Sequence, residues 1–336
     1  MYESYYSLSD MPFQLTPDCR FFFGSQEHRK AMAFLQYGIA QQEGFVVVTG
    51  EIGAGKTTLV EHLLTNLDPS KHVAGRVVTT QLDGYDILCM IAGAFGIASE
   101  DIDKGTLISR IKQLFAGLQA QGKHPLVIVD EAQSLTTEAI EELRMLSNLT
   151  LGARAPFQGI LLGQPEFRAT LSGPHLRQFR QRVIASCHLD ALGADDTKRY
   201  IEHRLTRVGW SNDPHFSDSA FEEIYRRTDG IPRRINTLCS RLLLLGYLEE
   251  KHAIDADEVV SVAREMASEL GPLTPDRVDV GLVDPYWDAA ANGGQRGHED
   301  LQPRLARVER ATERHDKAIN RVLDLALKYL PAQGSK

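Results

Sequence analysis

Eight consecutive residues, Gly50-Glu51-Ile52-Gly53-Ala54-Gly55-Lys56-Thr57, carry the most specific chemistry in this sequence. They fit the pattern G-x-x-x-x-G-K-[ST]. Glycines let backbone N–H groups curl around a phosphate without Cβ clashes, and a helix opening there adds its partial positive charge. Lys56 would reach the β- and γ-phosphates of a nucleotide, and the Thr57 hydroxyl would ligate Mg²⁺. Glu51, Ile52, Ala54 and Thr58 complete the stretch that would meet the phosphates. A second constellation is Leu126-Val127-Ile128-Val129-Asp130-Glu131. Four β-formers deliver two carboxylates to a strand's C-terminal end, where open α/β sheets bind ligands. Asp130 would hold Mg²⁺ through water, and Glu131 would polarise an attacking water. An acid directly after the metal-binding one points to hydrolysis by the chain itself.

Both constellations need strands behind them. Phe45 to Thr49 reads as a buried strand, as do Arg76 to Thr79, Leu126 to Val129 and Gly159 to Leu162, with Val183 to Cys187 as a weaker fifth. Continuous Val/Ile/Leu runs suit strands covered on both faces, and the helical patterns between them imply parallel crossovers. A doubly wound α/β unit over residues 27–190 follows. Over residues 191–270 the strand signals stop. Asp195 or Asp196, Ser217 and Asp255 would cap three helices, and Ile235 to Leu248 forms an apolar stretch between them. This predicts a separate, all-helical second domain. Residues 271–298 are dense in Gly, Pro and Asp and read as a linker; its Tyr286-Trp287 pair is more simply a loop feature than a docking anchor. In residues 299–330, Leu301, Leu305, Val308, Thr312, His315, Ile319, Val322, Ala326 and Tyr329 keep the a/d spacing of a coiled coil.

Composition narrows the class. The chain has 336 residues, 43% hydrophobic and 24% charged, which suits a globular protein of about two folding units. No apolar run approaches the roughly 20 residues that span a bilayer, and the start lacks the basic and apolar regions of a secretory signal. Four scattered cysteines, with no Cys-x-x-Cys pair, fit reduced thiols rather than a zinc site. A net charge of -8 argues against a surface built wholly for nucleic acid. The expectation is a cytoplasmic protein.

The order of phosphate loop, Asp-Glu strand end, polar strand end, arginine cluster and helical lid resembles an AAA+ ATPase. The resemblance implies an α/β P-loop NTPase of the AAA+, ASCE type: a parallel sheet, an all-helical lid and here a C-terminal heptad helix, with ATP and Mg²⁺ as cofactors. It assigns Gln164, in Leu161-Leu162-Gly163-Gln164-Pro165, to the first sensor, beside the γ-phosphate or water. Gly230-Ile231-Pro232-Arg233 matches the second sensor, so Arg233 would reach the nucleotide from the lid. The arginine finger that bridges subunits lies just before the fifth strand; Arg177, Arg180 and Arg182 compete, with Arg182 favoured because it directly precedes Val183-Ile184.

A narrower likeness runs from Met1 to Met266. Tyr5-Tyr6, Pro12-Phe13, Thr16-Pro17-Asp18 and Phe21-Phe22-Phe23-Gly24-Ser25 precede His28, and Tyr37-Gly38-Ile39, Glu43-Gly44, Gly50-Glu51-Ile52-Gly53 and Asp130-Glu131-Ala132-Gln133 follow. This is similar to secretion ATPases related to the general secretion pathway A protein, nearest the form associated with exosortase/PEP-CTERM and exopolysaccharide loci. The likeness implies that residues 1–26 sit near the base. It would place Phe13 and Pro17 at the adenine, although aromatic residues of this kind more often build core. It also implies a homo-oligomeric ring and membrane-bound secretion or polysaccharide export partners. The best-known relatives continue into a transmembrane helix and a periplasmic peptidoglycan-binding domain. Residues 271–336 show the linker and heptads instead, which favours a role beside an export machine over cell-wall remodelling. A DNA-dependent helper ATPase of the transposition-regulator type is the alternative. The basic run Arg226-Arg227 with Arg233-Arg234 keeps it open, while dispersed acids and the absence of a recognisable DNA-binding motif count against it.

Overall fold

The computed structural model describes residues 1–16, 18–78, 82–149 and 155–270, all within one compact unit. The linker and heptad segments, Pro17, and the Tyr286-Trp287 pair lie outside the described residues. In chain order the elements are α1 (Tyr2–Tyr5), α2 (Gln26–Gln41), β1 (Phe45–Gly50), α3 (Lys56–Asn66), β2 (His72–Val78), α4 (Gly84–Ala94), α5 (Lys104–Ala120) and β3 (His124–Asp130). Then follow α6 (Thr137–Ser147), β4 (Gln158–Gly163), α7 (Glu166–Ser172), α8 (Arg177–Arg180), β5 (Val183–Leu189) and α9 (Ala194–Arg207). The chain continues through β6 (His215–Phe216), α10 (Asp218–Thr228), α11 (Pro232–Leu248), β7 (Ala253–Ile254) and α12 (Ala256–Leu270).

Five parallel strands form the sheet in the order β2-β3-β4-β1-β5. Every residue of β1, β3 and β4 is buried, as strands with helices on both faces require. Alternate residues feed two cores. Val47, Val127, Val129 and Leu161 pack with α4, α5 and α6, while Val46, Val48, Leu126, Ile128, Ile160 and Leu162 pack with α2 and α3. The carboxyl ends of β1, β3 and β4 therefore open on one edge, with β1 inserted between β4 and β5. That order reversal leaves the crevice in which such sheets place ligands.

The helices beyond β5 are set by local chemistry. Ser217 accepts the Ala220 N–H at the start of α10, and Asp255 with Glu258 forms a reciprocal cap at the start of α12. Pro232 opens α11, where its missing N–H is no loss. The expected caps Asp195 and Asp196 sit instead in the first turn of α9, behind the N-cap Gly193, where their charge complements the helix dipole. The region also contains a short parallel pairing, β6 with β7. Tyr2, Tyr6, Leu8, Phe13 and Phe21 share one core with Ile201, Leu205, Ile235, Leu242 and Val262, so the N-terminal segment and the lid are a single packed body. Phe13 is 2% exposed within that core and does not line the cavity at the crevice.

Candidate functional site

The loop between β1 and α3 makes a turn that only small residues allow. Gly53 has φ 83° and Gly55 φ 98°; a Cβ on Gly53 would lie 2.4 Å from the Arg233 Cβ. The loop thus runs tight under the lid, and the Arg233 N–H donates to the Gly53 carbonyl at 3.2 Å. Lys56 is buried, with Nζ donating to the Gly50 and Glu51 carbonyls at 2.7 and 3.0 Å. Burial pulls its pKa below the usual lysine range, partly offset by Glu131 and Asp130. An anionic ligand entering the loop would restore what burial removes.

Beside it, Thr57 Oγ1 donates to Asp130 Oδ2 at 2.9 Å. The two oxygens are the hard, small donor set that suits Mg²⁺, whose remaining ligands come from phosphate and water. The same Asp130 Oδ2 accepts from Arg76 on β2 at 2.9 Å, and a second Arg76 amino group reaches Glu61 on α3 at 3.0 Å. A guanidinium cation thus sits against the carboxylate that would meet the metal.

Glu131 follows in a left-handed backbone conformation, φ 55° and ψ 39°, rare for a residue with a side chain. Its Oε2 accepts from Gln133 Nε2 at 2.6 Å and from Gln164 Nε2 at 3.2 Å, while the Gln164 N–H donates to Gln133 Oε1 at 2.9 Å. Two amides hold the carboxylate toward the loop. Backbone strain of this kind costs of order 1–3 kcal/mol and persists where surrounding contacts enforce it.

A cavity of about 300 Å³ runs from this corner to the N-terminal segment. Ile52, Gly53, Gly55, Lys56, Thr57, Thr58 and Glu131 line one end. Gln14, Leu15, Phe22, Tyr200, Arg204 and Arg233 are among the residues that line the rest. A cavity that joins the phosphate loop to a mixed wall of aromatic and polar side chains fits a nucleotide.

Residues 39–171 match the family described as AAA domain. The chain is also 34% identical over 268 residues to General secretion pathway protein A of Aeromonas hydrophila, across 80% of this chain and 49% of that one. It therefore spans about half the length of the curated relative it matches. The chain is an AAA+ ATPase related to that protein. Solved structures agree on the fold alone. The Aeropyrum pernix ORC2 protein, solved in ADPNP–ADP complexes, superposes with a TM-score of 0.58 at 16% identity, covering 72% of this chain and 68% of that one. Cdc6p of Pyrobaculum aerophilum gives 0.58 at 14%, covering 78% and 70%. Drosophila ORC bound to DNA gives 0.54 at 17%, covering 72% and 60%.

In this ATPase two of the three competing arginines hold bonds within the chain. Arg180 Nη1 donates to the Leu171 and Gly173 carbonyls at 2.6 and 2.7 Å, so it is spent within its own subunit. Arg177 and Arg182 flank a second depression of about 420 Å³ with Arg144, Asn148, Gln178 and Gln181, where Arg182 bonds the Asn148 side chain. Arg182 shares no lining with the nucleotide cavity.

Four residues here were given no role by the sequence. Gln133 lies within a quoted motif, but its role depends on meeting Gln164. Arg76 sits in the predicted second strand, and only the register, which pairs Val78 with Asp130, brings it near the acid. His28 lies under the loop: its Nδ1 pairs with Ser25 Oγ at 2.7 Å, and Gly55 approaches its Nε2 so closely that a Cβ there would be 3.0 Å away. Burial holds the His28 pKa down to about 4. Arg204 is 7% exposed and binds the Tyr200 hydroxyl at 2.9 Å and the Pro12 carbonyl at 2.5 Å.

Proposed function

We propose that this ATPase hydrolyses ATP with Mg²⁺ as a homo-oligomer and serves an envelope secretion, exopolysaccharide export or PEP-CTERM sorting system. The observation that carries the chemistry is the corner where Thr57 meets Asp130 at 2.9 Å and Glu131 is aimed by Gln133 and Gln164. When bound, Mg²⁺ would neutralise phosphate charge between Thr57 and Asp130. Lys56 would leave its loop carbonyls for the β- and γ-phosphates. Glu131 would take the proton of the attacking water, and Gln164 would orient that water. Arg233 stands on the rim of the cavity, with its backbone tied to Gly53, so a lid shift and a change at the phosphate would be coupled. Arg182 directly precedes β5 and lines the second depression; it would leave Asn148 to reach a neighbour's γ-phosphate.

The secretion reading rests on the 34% identity, which extends over 268 residues and 80% of this chain. The membrane-bound partners and the heptad segment's part in assembly belong to the same proposal. Among the described residues no helix is long and apolar enough to cross a membrane. The DNA-dependent alternative loses ground in the lid: Arg226 and Arg227 both bind Glu223, and Arg234 binds Asp229. With three of its four arginines engaged by two lid carboxylates and Arg233 at the cavity, this run has less charge to offer a phosphate backbone.

Glu131→Gln should keep nucleotide binding and lower turnover by about 10²-fold or more, since only water activation is lost. Equal hydrolysis by variant and parent would sink the assignment. Arg182→Ala should lower turnover without weakening binding to an isolated subunit. Mixing it with Lys56→Ala subunits should recover activity through composite sites, and normal hydrolysis by Arg182→Ala at every protein concentration would place the finger elsewhere. Affinity capture from the host with the Glu131→Gln chain tests the biological role. Export-apparatus proteins would support it, and DNA or a transposase would overturn it.

A further inference from the structure

Asp130 is asked to hold a metal, yet its oxygens are already engaged. Oδ1 accepts the Glu131 N–H at 3.0 Å, and Oδ2 accepts both Thr57 Oγ1 and Arg76 Nη2, each at 2.9 Å. The carboxylate is 6% exposed, so a bare charge there would be strongly disfavoured without a counter-ion. Arg76 supplies one from the edge strand β2. Its side chain is 36% exposed, and its other amino group is held by Glu61 of α3 at 3.0 Å. One guanidinium therefore bridges the strand that carries Asp130 and the helix that carries Thr57.

We propose that Arg76 is the resident counter-ion of the metal-free site, a positioning residue that the divalent cation must displace from Asp130 onto Glu61. This rests on the reading of Thr57 and Asp130 as the Mg²⁺ site. The argument is electrostatic. A guanidinium and a divalent cation repel, and both draw on the lone pairs of Asp130 Oδ2, whether the metal binds that oxygen directly or through water. Arg76 keeps the carboxylate in place while the site is empty of metal. The competition then raises the metal concentration needed to fill it. Glu61 sets the balance, because it gives the displaced guanidinium a partner on the side away from the metal. The edge position of β2 leaves the side chain room for that exchange.

The two acids predict opposite effects for two substitutions. Mn²⁺ is titrated into the full chain saturated with ADP, with free Mn²⁺ read by electron paramagnetic resonance, and the metal-free protein is melted in parallel. The parent should bind Mn²⁺ and Asp130→Asn should lose most of that binding; failure here would overturn the metal-site reading itself. With that control in place, Arg76→Gln should tighten Mn²⁺ binding by about threefold to tenfold, the scale of a partly exposed ion pair, and lower the metal-free melting temperature. Glu61→Gln should weaken Mn²⁺ binding by a similar factor, because both amino groups of Arg76 then turn to Asp130. Unchanged or weaker binding by Arg76→Gln, or shifts of the same sign in both variants, would overturn the counter-ion role. If Arg76→Gln fails to fold, Glu61→Gln decides alone: unchanged or tighter binding would refute the proposal.

Discussion

At the phosphate end of the cavity, Lys56, Thr57, Asp130, Glu131 and Gln164 all come from the carboxyl ends of three adjacent strands, and each polar atom meets a partner across a short gap. At the far end the wall is assembled from segments remote in sequence. Arg204 reaches the Pro12 carbonyl across 192 positions, and Phe22 stacks on His62 with ring centroids 3.9 Å apart, while in the core that the N-terminal segment shares with the lid Tyr6 donates to the Lys251 carbonyl across 245. The phosphate end is positioned by the sheet and needs only short motifs. The far end is positioned by packing, so it exists only when the N-terminal segment and lid have folded together. Chemistry and stability are thereby divided between the two ends, with the Arg233–Gly53 contact joining them.

The largest expected effect separates the ends cleanly. Lys56→Ala removes the charge that would meet the phosphates, and nucleotide affinity should fall by about 100-fold or more, read by titration with a fluorescent nucleotide. Stability without nucleotide should change little, because deleting a buried cation also removes its desolvation penalty. Retained nucleotide affinity would break the division at its chemical end.

Arg204→Met should give the reverse profile. The guanidinium is buried, bonded to Tyr200 and Pro12, and lies 4.7 Å above the Phe21 ring. Its loss leaves the Pro12 carbonyl without this donor and should destabilise the fold by about 3 kcal/mol, measured by urea unfolding. Nucleotide affinity should change less than about tenfold. A stable variant that no longer binds nucleotide would show that Arg204 serves the ligand and not the fold.

The same division explains what the sequence revealed. Five strands were legible because continuous Val/Ile runs have few other uses, and the phosphate loop because its chemistry is contiguous. The Asp130-Glu131 pair was legible once the strand before it was seen. Gln133 and Arg76 were not, since their partners are fixed by strand register and by a turn, which one chain read linearly does not display. Asp195 and Asp196 misled because acids in a first turn and an acid at the cap leave the same trace in sequence, and here Gly193 takes the cap. Phe13 belongs to the core rather than the adenine pocket for a similar reason: the aromatic-rich N-terminal run marks burial, but not against which surface.

His28 tests the junction of the two ends through pH, with the smallest effect of the set. It is buried between the N-terminal segment and the phosphate loop, edge-on to Phe22 and paired with Ser25. Burial is the main reason its pKa is held to about 4, against an ordinary 6.5, with the Ala54 backbone and Asp196 pulling weakly the other way. The folded state therefore keeps the ring neutral at pH values where the unfolded chain has already taken up a proton. Since the unfolded state binds more protons between those two values, stability must fall as pH drops from about 6.5 toward 4 and is fully present above that window. By pH 5 the loss should amount to about 2 kcal/mol. His203, whose pKa burial also lowers, adds a slope of the same sign, so the parent alone cannot isolate the effect. The difference between the parent and His28→Gln can. The variant should be less stable at pH 7, where it lacks the fitted ring under Gly55, and should lose less on acidification. Parallel stability curves for the two proteins from pH 7 to pH 5 would mean that the ring under the loop takes up its proton without disturbing the fold. The junction would then be looser than the contacts at Ser25 and Gly55 imply.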